Sequence, residues 1–276
     1  MQNIDVNNLV SIIVISYNNI QYLKQNIYSI LKQDYSPIEI IISDDCSDKF
    51  DEKFKKSVEL YIQEYKKDNI VNYIVNKNET NEGGVRNLNK AITLSKGKYI
   101  IPLECDDCFY DSKSVENIVN FFMYNPQYLI AKSFEYSCDI NLKPISIEKI
   151  PKEYKDLLNG DPLNLYLQLC KGNFISGSHL YYTRAFIKKF GMYDEDYKQL
   201  ADYPKLLNIT RKGCRIGIIK VITIYRRWGG ESRDMTGYNL NQDRKVQIKN
   251  ELEKDVMIMR EKEIFPYIDK LNKNHN

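Results

Sequence analysis

Lys98-Tyr99-Ile100-Ile101-Pro102-Leu103-Glu104-Cys105-Asp106-Asp107 is an apolar run that ends in acids. Ile100, Ile101 and Leu103 read as a buried strand, because a short apolar run bounded by turn formers fits a strand covered on both faces. Glu104, Asp106 and Asp107 then cluster where that strand stops. In an open α/β sheet, ligands bind outside the carboxyl ends of the strands. Clustered carboxylates repel one another unless a cation or a basic partner neutralises them. A hard divalent ion that keeps several waters and also binds a substrate diphosphate suits such a cluster. The competing reading is a solvated acidic turn, since Asp is a common turn former.

The segments upstream decide between the two. Val10 to Ser16 is a β-branched run and reads as a buried strand; Tyr17-Asn18-Asn19 breaks it and offers a helix N-cap. Leu23, Ile27, Ile30 and Leu31 recur at helical spacing until Ser36-Pro37. Ile38 to Ser43 is a second buried strand, closed by Asp44-Asp45-Cys46-Ser47-Asp48. Phe50, Phe54, Val58, Tyr61, Ile62 and Tyr65 form one face of a helix, and Ile70 to Val75 is a third strand. Gly83-Gly84 precedes a helix carrying Val85, Leu88, Ala91 and Ile92, which Gly97 closes. This β-α-β-α-β-α-β order with short connections predicts an α/β fold with a mostly parallel sheet and right-handed crossovers. Two acidic strand ends on one parallel sheet share an edge, which favours a binding cleft over turn chemistry.

The second half is less regular. Helices are expected over Ser114 to Tyr124, Pro162 to Cys170 and Asp202 to Lys212, and strands over Tyr128 to Tyr136 and Arg215 to Tyr225. Phe174 to Tyr182, with Ser176-Gly177-Ser178, reads as strand and turn. Asn141 to Gly160, punctuated by Pro144 and Pro151, reads as a long loop. Beyond Gly237, Ile248, Leu252, Val256 and Met259 recur at helical spacing and read as an amphipathic helix.

Composition excludes some functions. A net charge of +3, with basic residues dispersed, does not point to nucleic acid. No stretch approaches the roughly 20 apolar residues of a transmembrane helix. Met1 to Asn8 lacks the basic and apolar regions of a signal peptide, so a cytoplasmic location is the expectation. The six cysteines are scattered. Cys105 and Cys108 form a C-x-x-C, but zinc needs a second ligand pair, and two aspartates between the thiols suppress thiolate. His179 reads as a structural histidine.

The ordered motifs resemble those of family 2 glycosyltransferases over roughly residues 9 to 232. Val10 to Asn18 is similar to that family's opening strand, and Ile38 to Asp48 to its second strand followed by Asp-Asp-Gly-Ser. Asn81-Glu82-Gly83-Gly84-Val85-Arg86-Asn87 resembles its Gly-containing Arg-Asn segment, and Leu103-Glu104-Cys105-Asp106-Asp107 its Asp-x-Asp-Asp metal motif. Gly191-Met192-Tyr193-Asp194-Glu195 and Asp202-Tyr203 resemble its Gly-x-Phe-Asp-Glu and Glu-Asp-Tyr segments. Departures are Glu104 for Asp, Cys46 for Gly, Ala201 for an acid, and Trp228 where many members carry His.

The resemblance implies the GT-A fold. Residues 1–232 would form the glycosyltransferase domain, 1–110 the nucleotide-binding half and 111–232 the acceptor-binding half, with 233–276 as a C-terminal helical extension. It implies an inverting, metal-dependent transfer from a nucleotide-sugar, a UDP-sugar first, to a glycan or lipid-linked acceptor in polysaccharide or glycoconjugate synthesis. Ser16, Tyr17 and Asp44 or Asp45 are expected at the nucleobase and Arg86 at the nucleotide or its phosphates. Mn²⁺ or Mg²⁺ is expected on Asp107, with Asp106 at ribose, metal or both, and Glu104 assisting. Asp202 is the candidate general base, with helix capping as its competing role. Asp194 and Glu195 read as loop acids near the acceptor. Arg226, Arg227 and Trp228 either cover the diphosphate and sugar or form a rim cluster. The C-terminal segment packs on the domain, with peripheral membrane contact as the other option, at the inner face of the membrane.

Two rival classes remain. A sugar-1-phosphate nucleotidyltransferase needs a Gly-rich basic loop after strand one, where Tyr17-Asn18-Asn19-Ile20 stands. An inactive carbohydrate- or nucleotide-binding module is disfavoured by the presence of Asp106, Asp107 and Asp202 together.

Overall fold

The computed structural model describes residues 8–175, 177, 180–228 and 242–268. The order is β1 (Val10–Ser16), α1 (Leu23–Leu31), β2 (Ile38–Asp44), α2 (Glu52–Tyr65), β3 (Ile70–Lys77), α3 (Gly84–Leu94), β4 (Tyr99–Pro102), β5 (Cys108–Phe109) and α4 (Ser114–Tyr124). Then come β6 (Ile130–Cys138), β7 (Pro144–Glu148), α5 (Lys152–Asn159), α6 (Pro162–Leu169), β8 (Leu180–Thr183), α7 (Arg184–Phe190), α8 (Asp202–Arg211), β9 (Ile216–Arg227) and α9 (Gln242–Met259). Arg260–Ile264 continues α9 as a π-helical turn.

Among the described residues the strands form one sheet in the order β3-β2-β1-β4-β8-β6-β9-β5, with β7 paired to β6. The first four strands are parallel, as the repeated crossovers require. β8 runs antiparallel to β4 and β6, while β6 and β9 are parallel to each other. The α/β class is as read from the sequence, with a mixed sheet in its second half. Two hydrophobic clusters cover its faces, one built on Ile13, Ile41 and Ile100, the other on Ile12, Ile40 and Ile101. This alternation along each strand is why β1, β2 and β4 read as continuous apolar runs. Each such side chain removed from water contributes about 1.5–3 kcal/mol, which offsets the cost of burying acids at the sheet edge.

Parallel pairing fixes where the acids lie. Ser16 stands opposite Asp44 at the carboxyl ends of β1 and β2. The chain leaving β4 stays beside β1, with Leu103 and Cys105 donating their N–H groups to Ile13 and Ile15. Asp44-Asp45 and Glu104-Cys105-Asp106-Asp107 therefore sit on one edge.

The segment 141–160 differs from expectation: it holds β7 and α5. Pro144 opens an edge strand, where a missing N–H costs no ladder bond. Ile145 and Ile147 on it are exposed, so no buried alternation marks the strand. Pro151 precedes α5 and limits only its first turn. On α9, Ile248 and Met259 are buried as expected, but Leu252 is exposed and Asp255 faces inward instead. Among the described residues no helix is long and apolar enough to cross a membrane.

Candidate active site

The first wall of the site is a turn network between β1, β2 and α3. Asp44 is fully buried; its Oδ1 accepts from Ser16 Oγ at 2.8 Å and Ser47 Oγ at 2.5 Å, its Oδ2 from the Ser47 N–H at 2.7 Å. Asp45 Oδ1 accepts from Asn78 Nδ2 and the Glu82 N–H, both at 2.9 Å, and Oδ2 from the Gly83 N–H at 2.8 Å. The paired acids thus tie the loop after β2 to the turn that opens α3. Gly83 has φ +92°, a conformation that favours glycine, and this lets the turn reach Asp45. Tyr17 is half-buried beside this network. Arg86 leaves the first turn of α3 and pairs with Glu195 at 3.5 Å, both side chains about half exposed. Such a pair is worth under about 1 kcal/mol, so the guanidinium is free to exchange partners.

The second wall is the acidic turn after β4. Asp106 is 6% exposed and Asp107 2% exposed. Asp107 Oδ1 accepts the Arg227 N–H at 2.8 Å, which fastens the turn to the end of β9. Burial first, then the charges of Asp106 and Glu104, raises the Asp107 carboxyl well above the usual carboxylate range. Glu104 reaches solvent, yet the protein around it and the charges of Asp106 and Asp202 push it up to about 8. Three acids on one turn destabilise each other's anions, the state a cation relieves.

Arg226 and Arg227 are buried beside these acids. Arg226 binds Glu135 at 2.7 Å and Glu148 at 2.9 Å. Arg227 donates from Nε to the Asp106 carbonyl at 2.8 Å, from Nη2 to Gln25 at 3.0 Å and from Nη1 to the Ile140 carbonyl, and its guanidinium lies 4.2 Å from the Tyr22 ring centroid. Arg227 thus braces the acidic turn, while Arg226 is held by Glu135 and Glu148. Trp228 follows at 42% exposure on the rim.

Asp202 opens α8, near enough for its charge to act on Glu104. The residue before it, Ala201, makes no side-chain cap, and among the described residues the Asp202 carboxylate accepts no hydrogen bond, so the capping role is not what holds it there. Burial pushes the carboxyl up to about 6, and Lys132 holds it from rising further. Gly177 lies directly against it: a Cβ at Gly177 would meet Asp202 Oδ2 at 1.3 Å. Gly177→Ala is therefore expected to displace the Asp202 carboxylate, measurable as a change in its carboxyl NMR signal and titration.

The fold thus brings Glu104, Asp106, Asp107 and Asp202 within electrostatic reach, and sets Ser16, Tyr17, Asp44, Asp45 and Arg86 on an adjoining wall. Gly177, Lys132 and Glu135 join the first group without any motif to mark them. His179 lies outside the described residues. Cys105 and Cys108 are free, buried thiols, raised well above their usual value and to about 12 respectively, chiefly by burial. Next to Lys132 and Glu135 opens a cavity of about 290 Å³, lined also by Glu148, Lys149, Pro151 and Phe174.

Comparison with known proteins agrees with this fold. The family model described as Glycosyl transferase family 2 matches residues 11–190. An uncharacterized glycosyltransferase of Haemophilus influenzae is 26% identical over 251 residues, which is 88% of this chain and 72% of that protein. WcaA of Escherichia coli, provisionally assigned as a colanic acid biosynthesis glycosyl transferase, is 31% identical over 152 residues, 53% of this chain and 50% of its own. Among solved structures, residues 1–349 of Staphylococcus aureus TarS in complex with UDP-GlcNAc superpose with a TM-score of 0.61 at 18% identity, covering 87% of this chain and 64% of that one. The mannosyltransferase PcManGT of Pyrobaculum calidifontis, in complex with GDP-Man and Mn²⁺, gives 0.57 at 16% identity, covering 81% and 57%. At such identities the structural likenesses establish the fold.

Proposed function

The chain belongs to glycosyl transferase family 2 and is a glycosyltransferase, and on that premise we propose that it moves a sugar, with inversion, from a nucleotide-sugar to a glycan or lipid-linked acceptor in polysaccharide or glycoconjugate synthesis. The observation that carries the reading is the acidic turn Glu104 to Asp107 at the carboxyl edge of the sheet, with Asp202 near enough for its charge to act on Glu104. In the proposed division, residues 1–110 hold the donor, 111–232 present the acceptor, and 233–276 form the C-terminal helical extension. The UDP-GlcNAc bound by TarS and the GDP-Man bound by PcManGT support a nucleoside-diphosphate donor, with UDP the first base to test.

Ser16, Tyr17, Asp44 and Asp45 build the base pocket, the two acids through the turns they hold. Arg86 exchanges Glu195 for phosphate. Among the described residues no three His, Cys, Asp or Glu side chains form a complete metal cage. Mn²⁺ and Mg²⁺ need none, because substrate phosphates and water complete a site that contributes one or two carboxylates. Asp106 and Asp107 fit that requirement by donor type and by their crowded charge, and would hold the ion, with Glu104 adjoining. A bound ion would supply Lewis-acid neutralisation of the leaving diphosphate. The cavity beside Lys132 and Phe174 suits one sugar unit of the acceptor.

Asp202 acts as general base. Its carboxylate takes the proton of the acceptor hydroxyl while that oxygen forms a bond to the anomeric carbon. The bond from the anomeric carbon to the diphosphate oxygen breaks on the opposite face. One displacement inverts the centre and needs no enzyme nucleophile. The working form is the anion, so turnover should rise with pH through about 6 and then level; a flat profile between pH 5 and 8 would contradict the assignment.

Nucleoside diphosphate release from a panel of UDP-, GDP- and dTDP-sugars with Mn²⁺ tests the whole reading. Consumption of nucleoside triphosphate with a sugar 1-phosphate would instead identify a nucleotidyltransferase. No release from any donor, with or without oligosaccharide acceptors, would leave the binding module.

A further inference from the structure

Asp255 is 2% exposed, yet it is a carboxylate on a helix whose other inward residues near it, Ile248 and Met259, are apolar. A buried carboxylate persists only where strong donors replace its water. Here the donors are three successive backbone N–H groups. Those of Lys198, Gln199 and Leu200 converge on Asp255 Oδ2 at 2.9, 2.6 and 3.0 Å. Consecutive N–H groups turned toward one point form an anion-binding nest, and α9 fills it. One helical turn earlier on α9, Glu251 accepts from Gln199 Nε2 at 2.8 Å and pairs with Lys198 Nζ at 3.6 Å.

The clamped turn ends two residues before Asp202. On its other side the chain meets α3: a Cβ at Gly83 would lie 3.9 Å from the Lys198 carbonyl, and Asn89 Nδ2 donates to Tyr193 O and Glu195 Oε1, both at 2.9 Å. The turn is thus strung between the donor-side helix and α9. A cavity of about 460 Å³, lined by Asp196, Lys198, Gln247, Glu251 and Asp255, flanks the clamp, so side-chain packing there offers little to replace it. Asp202 itself accepts no hydrogen bond from any described residue, and its position depends on where the backbone starts α8.

We propose that Asp255 is a positioning residue: its carboxylate, bound in the nest of residues 198–200, holds the turn that sets Asp202 for proton transfer. The proposal rests on the reading of Asp202 as the base. It makes α9 part of the catalytic apparatus through a contact spanning 55 to 57 residues of sequence, and no feature of the Asp202 motif announces it.

The test uses the full chain with Asp255→Ala, Asp255→Asn and each combined with Asp202→Asn. Hydrogen–deuterium exchange should quicken about tenfold at the amides of 198–200 in Asp255→Ala. On the fastest donor of the panel, kcat should fall about tenfold to hundredfold with donor KM within about twofold. Asp255→Asn keeps an acceptor oxygen and should restore kcat to within about threefold, while exchange still rises measurably from loss of the charge. Residual turnover of Asp202→Asn, followed with radiolabelled donor, should change by less than about twofold when Asp255→Ala is added. Should the alanine variant not fold, exchange in Asp255→Asn alone decides. Unchanged exchange at 198–200 overturns the clamp. An equal loss of kcat in both backgrounds overturns its action through Asp202. Full turnover by Asp202→Asn alone would overturn the base reading instead, whatever Asp255 does.

Discussion

Asp202→Asn should lower sugar transfer by about three orders of magnitude, roughly 4 kcal/mol in the barrier, and leave donor affinity within about twofold. The size follows from the role. A positioned base with a pKa near the working pH contributes most, and burial brings the Asp202 carboxyl to about 6 while Lys132 keeps the anion accessible. Asparagine preserves the shape against Gly177 and removes the charge together with the ability to take a proton. The fold should not suffer. Asp202 caps nothing among the described residues, so α8 keeps its start. Stability should even rise. An aspartate has an unfolded pKa of about 3.9, and a folded value raised above it gives stability that is present below that pH and lost as pH climbs through the folded value. At pH 8 the parent carries that cost, on the order of 3 kcal/mol, and Asp202→Asn does not. A variant that melts higher and turns over a thousandfold more slowly separates a catalytic role from a structural one. Unimpaired turnover with an intact acceptor sinks the assignment.

The parts of this molecule that were legible in the sequence share one property: their physics is local. β1, β2 and β4 are apolar runs because both faces of a parallel strand are covered, and the glycines around α3 mark its ends. Their acidic ends share an edge because parallel strands point the same way. What was not legible depends on contacts across the chain. β7 is an exposed edge strand with no buried alternation, and β5, Cys108–Phe109, is too short to carry a pattern. The sequence shows that Asp44, Asp45, Asp106 and Asp107 lie at strand ends, but not which oxygen each commits inward. Asp44 spends both oxygens on Ser16 and Ser47, and Asp107 spends one on Arg227. Arg226 and Arg227 could be read as donor contacts or as a rim, and their protein partners, Glu135, Glu148 and the acidic turn's own carbonyl, could not be read from the sequence. Gly177 and Asp255 act on Asp202 from distant positions and carry no motif.

Removing the divalent metal, or the charge of Asp107, should weaken donor binding about hundredfold. Asp107→Asn is a discriminating change because the backbone contact survives it: an amide oxygen can still accept the Arg227 N–H, so the end of β9 stays fastened to the turn. What disappears is one negative charge from a cluster in which Asp106 and Glu104 already oppose ionisation. Without a cation that loss would relieve crowding; with one, it removes a ligand. Donor affinity should therefore depend steeply on Mn²⁺ in the parent and barely in Asp107→Asn. Asp106→Asn run in parallel identifies the direct ligand, since the variant that loses the Mn²⁺ dependence is the one whose oxygen meets the ion. Asp202→Asn should keep the parent's Mn²⁺ dependence in full. Titration of the chain with its preferred nucleotide-sugar, in Mn²⁺ and again in EDTA, measures all three. Equal affinity of the parent in both buffers would remove the metal from the site, and the acidic turn would then need Arg86 or another basic group to bring a diphosphate near it.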